Sequence, residues 1–352
     1  NHSPHLSLPS ATLVRQRIIS DRLNPVEFND NDEFSRRYRF SKDPVMQLER
    51  KVGPTIKHGS DRNEAVPPLL QLLVALRFYV TGCFHMVVGD LCGLHKSTVC
   101  RIVVSVQCYC RSEESVHKVE SYRGNSSWIL QESEIPRCTR GNRQHAFLFP
   151  TLVVRTENYS VMVKGYCSIN VQAVCDKGQL TNIVARWPGS THDCRIFDNS
   201  HLCAMLERGA YEGHLLGDNG YACRGCLMTP LLNPQTPEER ECNTSHILVR
   251  IVIEKVFGVW RKKRFPCLEG LRTKMDTTLT IIIAVAVLYN FGKRQGHKLP
   301  EEAEEDLPEE NEEDGQVQHA ANANGNAVRG TLIENHFAIF TSYFFEEGSV
   351  PW

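Results

Sequence analysis

Three carboxylates stand where secondary-structure elements begin or end: Asp193 in "WPGSTHD", Asp218 in "LLGDNGY" and Glu254 in "VIEKVFG". Carboxylate oxygens suit Mg²⁺ or Mn²⁺. In-line displacement at a phosphodiester is served by two such ions about 3.5–4 Å apart, one generating hydroxide and the other stabilising the leaving oxygen. Each acid also has an ordinary reading: Asp193 in the first turn of a helix, Asp218 as a turn residue, Glu254 as a partner of Arg250, Lys255 or Arg261. What raises the three together is the charge that follows Glu254, namely Arg261, Lys262, Lys263 and Arg264, with Arg272 and Lys274 soon after. A basic stripe beside acids suits a polyanionic substrate, because phosphate contacts supply affinity while carboxylates hold metal. The same run also reads as a solvated basic face or a nuclear-localisation patch.

Elements that position these residues are legible in the pattern. "LLQLLVALRFYVTG" has apolar residues at helical spacing and stops at Gly82. A short helix from Met86 to Cys92 then meets Gly93 in a tight turn, and a second helix begins near Lys96, Ser97 and Thr98, turning Val99, Ile102, Val103 and Val106 inward. That layout suits a helix-turn-helix whose second helix lies in a DNA major groove with Lys96, Ser97, Thr98 and Arg101 facing out. A plain helical bundle with a solvated face has the same spacing. From 164 the pattern turns to strands: "YCSINVQAVCD" and "LTNIVARWPG", separated by Lys177, Gly178 and Gln179, predict an antiparallel hairpin. "THDCRIFDNSHLCAMLERG" predicts one helix with Thr191 as N-cap and Gly209 as stop, and "HLLGDNGY" a short strand running into a turn. "RIVIEKVFGVWRKKR" predicts a helix with Ile251, Val252, Val256 and Val259 inward. Strands and helices in this order imply a mixed α/β sheet.

The chain of 352 residues, 41% hydrophobic and 23% charged, is long enough for about two domains with tails. Its longest apolar run, "LTIIIAVAVLYNF", falls short of the roughly 20 residues a bilayer span needs, so a buried helix and no membrane are expected. Asn1 stands in the place of a Met and no signal-type run follows, which predicts an incomplete or processed intracellular chain. Of 14 cysteines only Cys223 and Cys226 have metal-ligand spacing, and without a second pair they read as free thiols in a reducing compartment. Residues 301–314 hold ten acidic side chains and no basic one, as a solvated disordered linker does. The apolar "NHFAIFTSYFF" beyond it is expected to dock somewhere.

The phrases "GYCSINVQAVCD", "VARWPGSTHDCRIF", "LLGDNGYACRGCLMTPLLNP", "VIEKVFGVWRKKRFPCL" and "LRTKMDTTLTIIIAVAVLYN" resemble PIF/Harbinger transposases and the harbinger transposase-derived nucleases. "DRLNPVEFNDNDEFSRRYRFSKDPV" and the helical pair agree in order and spacing, so the resemblance covers most of residues 20–292. It implies an RNase H-like nuclease fold with an Asp, Asp, Glu site for Mg²⁺ or Mn²⁺, DNA as partner, a nuclear as well as cytoplasmic location, and a Myb/SANT-like partner protein that helps import. On this resemblance Asp218 and Glu254, with 35 residues between them, match the second and third catalytic acids. Asp193 matches a further acid beside the metal, and Asp176 is a weaker candidate. The implied organisation is a helical leader (1–62), a helix-turn-helix-like DNA-binding region (63–115), a connector (116–140), an RNase H-like mixed-sheet nuclease domain (141–292) and an acidic, largely disordered tail (293–352).

One interval departs from the family. The first catalytic Asp belongs in a strand written G-A-I-D-S-T-H, and here no Asp stands between Ser121 and Cys175. Codons can be chosen for Cys138 through Phe147 that, read one base later, spell V-L-G-A-I-D-S-T-H, with the Asp codon straddling Arg143 and Gln144. A shifted reading frame is therefore one expectation for the foreign interval between family-like flanks, the true product being the other. Losing one of three carboxylates weakens the ion pair, so the expectation is a poor nuclease or a non-catalytic DNA- or partner-binding protein. The replacement strand "AFLFPTLVVR" carries Pro150, which is disfavoured in a central ladder.

Overall fold

The computed structural model describes residues 24–59, 65–112, 119–121, 127–130, 146–148, 152–156, 167–176, 178–211, 213–296 and 322–337. Six helices come first: α1 Pro25–Phe28, α2 Asn31–Tyr38, α3 Lys42–Ile56, α4 Pro68–Thr81, α5 His85–Cys92 and α6 Lys96–Ser112. Asn24 and Asp30 cap α1 and α2 by accepting from Val26 and Glu33 N–H. Helix α4 ends at Gly82 and α5 at Gly93, both at a positive φ of 61° that favours glycine. Gly82 is doubly constrained, since a Cβ there would lie 2.9 Å from the Cys267 Cα. Val99, Ile102, Val103 and Val106 of α6 are buried as their spacing predicts.

The sheet is assembled from β1 Val119–Ser121, β2 Ser127–Leu130, β3 Ala146–Leu148, β4 Leu152–Thr156, β5 Cys167–Asp176 and β6 Gln179–Pro188. Helices α7 Asp193–Asp198 and α8 His201–Glu207 follow, then β7 Leu215–Leu216 and β8 Leu227–Met228. Its order is β1-β2-β6-β5-β3-β7-β8, with β4 also on β5. Pairing is antiparallel from β1 to β3 and parallel from β3 to β7 to β8. The β5–β6 hairpin turns at Gly178, φ 79°. Segments within the predicted connector therefore add a hairpin to the sheet's β6 edge. Pro150 lies outside the described residues; β3 and β4 lie along the same edge of β5, with Leu148 opposite Val174 and Leu152 opposite Val171, one residue out of continuous register.

Alternation along β5 decides what each face covers. Ile169, Val171, Ala173 and Cys175 join the main core with α4, α6 and α10 (Met275–Arg294), whereas Val174 joins Phe197, Leu202, Leu206, Leu215 and Tyr221 beneath α7 and α8. The main core runs without interruption from Phe34 to Phe291, so the helical leader and the sheet share it. Helix α10 is long and apolar enough to cross a membrane, and its residues from Ile281 to Phe291 are packed inside this core.

Three predictions are corrected. The single helix expected from 191 to 209 is two, because buried Ser200 accepts from Cys203 N–H at 3.0 Å and starts a new one; His192, not Thr191, precedes the first. The helix carrying Glu254 is longer than expected, α9 Pro237–Gly258, opened by a Thr236/Glu239 capping box and continued by a π-helical turn, Val259–Arg264. Order does not fade for good beyond 293. Helix α11, Ala323–His336, packs against α9 and β8, with Arg329 donating to the carbonyls of Thr229 (3.0 Å) and Pro230 (3.3 Å). Residues 301–314 and all but the first three of "NHFAIFTSYFF" lie outside the described residues.

Candidate active site

The two-residue strand β7 delivers Asp218. Gly217 N–H donates to the Met228 carbonyl at 2.9 Å, and the turn that follows is closed locally: the Asp218 Oδ1 accepts from Gly220 N–H at 2.9 Å and the Asp218 carbonyl accepts from Tyr221 N–H at 3.2 Å. Asp218 is 8% exposed. Asp193 opens α7, and the segment before it is fixed by Asn170 of β5, whose Nδ2 donates to the Thr191 carbonyl at 2.8 Å and lies 3.5 Å from the Asp193 Oδ1. Gly220 shows how near the two acids come: a Cβ there would lie 3.0 Å from the Asp218 Oδ1 and 3.5 Å from the Asp193 Oδ2. Both carboxylates thus converge on one glycine.

Tyr221 registers both charges. Burial, then the carboxylates of Asp193 and Asp218, hold its phenol well above the usual value, so it stays protonated beside them while Gln172 Nε2 approaches its oxygen at 3.2 Å.

Helix α9 turns one stripe toward the ends of β7 and β8. Asn243 binds both backbone groups of Leu231, and His246 Nε2 lies 2.7 Å from the Gly217 carbonyl. Glu254, eleven residues or about three turns beyond Asn243, continues that stripe. Glu254 is half-buried. Among the described residues no three His, Cys, Asp or Glu side chains form a cluster able to hold a metal ion. Asp193 and Asp218 come together, and Glu254 stands on the facing helix without joining them in such a cluster. Asp176 ends β5, and its side chain lies outside the described residues. The expected position of the first acid, at Arg143 and Gln144, lies outside the described residues. Cys223 is buried and Cys226 half-buried, both as free thiols.

The residues expected to meet DNA divide. At the start of α6 Lys96, Ser97 and Arg101 are exposed and Thr98 is half-buried. In the basic stripe Lys262 is exposed, Lys263 half-buried, and Arg261 pairs with Glu269. Arg264 corrects the expectation: it is 0% exposed, with its guanidinium 5.3 Å from the Phe40 ring and against Gly292, because the π-helical turn rotates it into the core. It offers nothing to a phosphate. Asn170, Gln172, Tyr221, Asn243 and His246 were not anticipated. Only the first two left a signal, as polar residues at alternate positions of an otherwise apolar strand.

Residues 150–290 match the family described as DDE superfamily endonuclease. Proteins bearing the name "Putative nuclease HARBI1" are similar over 86% of this chain and 89% of their own length, at 29% identity in Bos taurus and 28% in Homo sapiens. "Protein ALP1-like" of Arabidopsis thaliana is 24% identical over 54% of this chain and 53% of its own. No solved structure matches the chain. Two acids thus converge at the end of β7 and a third stands on the facing helix, all within the residues that match the DDE superfamily endonuclease family, in a chain similar over most of its length to proteins named as putative nucleases.

Proposed function

We propose that the chain is a transposase-derived, divalent-metal-dependent DNA endonuclease of RNase H-like fold, crippled by the loss of its first acid. The observation that carries this reading is the convergence of Asp193 and Asp218 on Gly220. Two adjacent carboxylates fit a single hard cation such as Mg²⁺ or Mn²⁺, which is commonly held by one or two carboxylates and completes its shell with water. DDE nucleases generally use divalent metals. A bound ion supplies Lewis-acid stabilisation of a phosphoryl oxygen. Asp218 and Asp193 would hold it, and Glu254, on the same α9 stripe as Asn243, is the third catalytic acid on this reading. A second ion has no ligand set among the described residues. The RNase H-like reading is supported by the position of β3: it lies inside a mixed sheet, between β5 and the strand that leads to Asp218, where the missing acid belongs.

DNA binding falls to Lys96, Ser97 and Arg101 after the turn at Gly93, read as a helix-turn-helix, and to Lys262 and Lys263. A nuclear location and a Myb/SANT-like partner complete the reading by resemblance.

A second reading is a non-catalytic DNA-binding protein, and it is favoured by the acid-free composition of β3 and β4. Supercoiled-plasmid cleavage with Mg²⁺ or Mn²⁺ separates the two. Slow nicking abolished by Asp218→Ala or Glu254→Ala supports the enzyme, whereas salt-sensitive DNA binding without nicking supports the binding module.

A further inference from the structure

Helix α9 is fastened to the sheet by two polar contacts one turn apart, and they do different things. Asn243 Nδ2 donates to the Leu231 carbonyl at 2.8 Å and Leu231 N–H donates to Asn243 Oδ1 at 2.9 Å, which anchors the helix beyond β8. His246 is 6% exposed, and its Nε2 lies 2.7 Å from the Gly217 carbonyl oxygen, so that nitrogen carries the proton and donates. Gly217 immediately precedes Asp218, and its N–H is taken by Met228. Gly217 is therefore held from both ends, its N–H by β8 and its carbonyl, which belongs to the peptide entering Asp218, by His246.

We infer that His246 is a positioning residue of the metal site, fixing the Asp218 turn in register with the helix that carries Glu254. The inference rests on the metal-dependent reading above. The physical reason is that a β7 of two residues has little ladder of its own to hold its last peptide. Without the imidazole the Gly217 carbonyl becomes a buried acceptor with no donor from α9, and the peptide plane before Asp218 gains freedom to rotate. The Asp218 carboxylate then leaves its convergence with Asp193, and the link from Asp218 to the Glu254 helix is lost in the same event.

Mn²⁺ alone, titrated into the full chain and followed by the electron paramagnetic resonance of the free ion, tests this without relying on activity. Wild-type binding that Asp218→Asn removes is expected. Replacement His246→Leu weakens it about tenfold, and His246→Gln, whose Nε2 reaches the same carbonyl, restores most of the loss. His246→Asn, one methylene shorter, does not. Asn243→Ala lowers the unfolding midpoint and leaves Mn²⁺ affinity unchanged, which a merely structural role for both contacts would not produce. Unchanged affinity in a folded His246→Leu overturns the inference alone, as does an equal loss in Asn243→Ala. If His246→Leu does not fold, the comparison of Gln with Asn decides it by the same criterion. Wild-type chain with no Asp218-dependent Mn²⁺ binding overturns the metal reading and this inference together.

Discussion

Asn290 of α10 closes a two-bond ring with the backbone of Leu180 in β6: its Nδ2 donates to the Leu180 carbonyl at 2.7 Å, and Leu180 N–H donates to its Oδ1 at 2.9 Å. Both residues are buried, and the contact sits beside a register irregularity in the β5–β6 ladder, where Leu180 must look outside the sheet for a partner. Asn290→Leu keeps the apolar bulk and strands one donor and one acceptor. A loss of about 2 kcal/mol in unfolding free energy is expected by urea titration, with plasmid binding unchanged. A loss within error would mean that water or another group replaces the amide.

Gly220 is expected to be intolerant for a different reason. A methyl group at its Cα lies 3.0 Å from the Asp218 Oδ1 and 3.5 Å from the Asp193 Oδ2, in the space the two acids share. Gly220→Ala should leave the thermal midpoint within a few degrees of wild type and weaken Mn²⁺ binding roughly tenfold. Equal Mn²⁺ affinity in the two proteins would show that the ion, if bound, sits elsewhere.

Alkaline pH should loosen the second core. Burial first, and the nearby Glu207 charge second, push the Cys203 thiol up from 9.0 to about 12. Between those values the folded chain keeps a proton that the unfolded chain has released, so stability is fully present below pH 9 and falls as pH rises toward 12. Urea midpoints between pH 8 and 11 check the sign. Cys203→Ala should flatten the alkaline slope; an unchanged slope would assign it to other groups, of which Tyr38, also raised to about 12, is the first to examine.

Lys262 and Arg264 are neighbours in one basic run and should behave as opposites. Lys262 is exposed, so Lys262→Ala is expected to lower the slope of log K against log salt for DNA binding by about one. Arg264 is enclosed with Phe40 and Gly292, so Arg264→Ala should cost roughly 2–4 kcal/mol of stability with little change in that slope. A shared loss of salt slope would return Arg264 to the DNA face.

That pair also shows where sequence reading stops. Gly82, Gly93 and Gly178 announced their turns because a positive φ is a local requirement, and the buried face of α6 followed from spacing alone. Arg264 was misread because its direction depends on a π-helical turn that no periodicity marks. Helix α11 was missed since "ANGNAVRG" has no apolar stripe; it docks through Arg329 and through Gly325, where a Cβ would lie 2.5 Å from the Cys223 carbonyl oxygen, contacts made about a hundred residues away. At the site the acids were legible by type and Asn170 as a polar residue in an apolar strand, whereas His246 acts through a bond to a distant backbone carbonyl and leaves no signature of its own.

Restoring a third acid is the most demanding prediction. Val153 of β4 stands directly opposite Asn170 of β5, the residue whose amide reaches the Thr191 carbonyl and the Asp193 carboxylate. Opposed residues of an antiparallel pair share a face of the sheet, so position 153 lies on the face that Asp193 and Asp218 flank. Val153→Asp should therefore supply the carboxylate that the interval lacks, tighten Mn²⁺ binding by about an order of magnitude through added ligand charge, and bring plasmid nicking that Glu254→Ala abolishes. Tighter binding without nicking would mean that ligand number is repaired while the ion spacing is not. No change in binding would place the lost acid's position elsewhere in β3 or β4, with Leu148, opposite Val174 on the same face, as the next position to substitute.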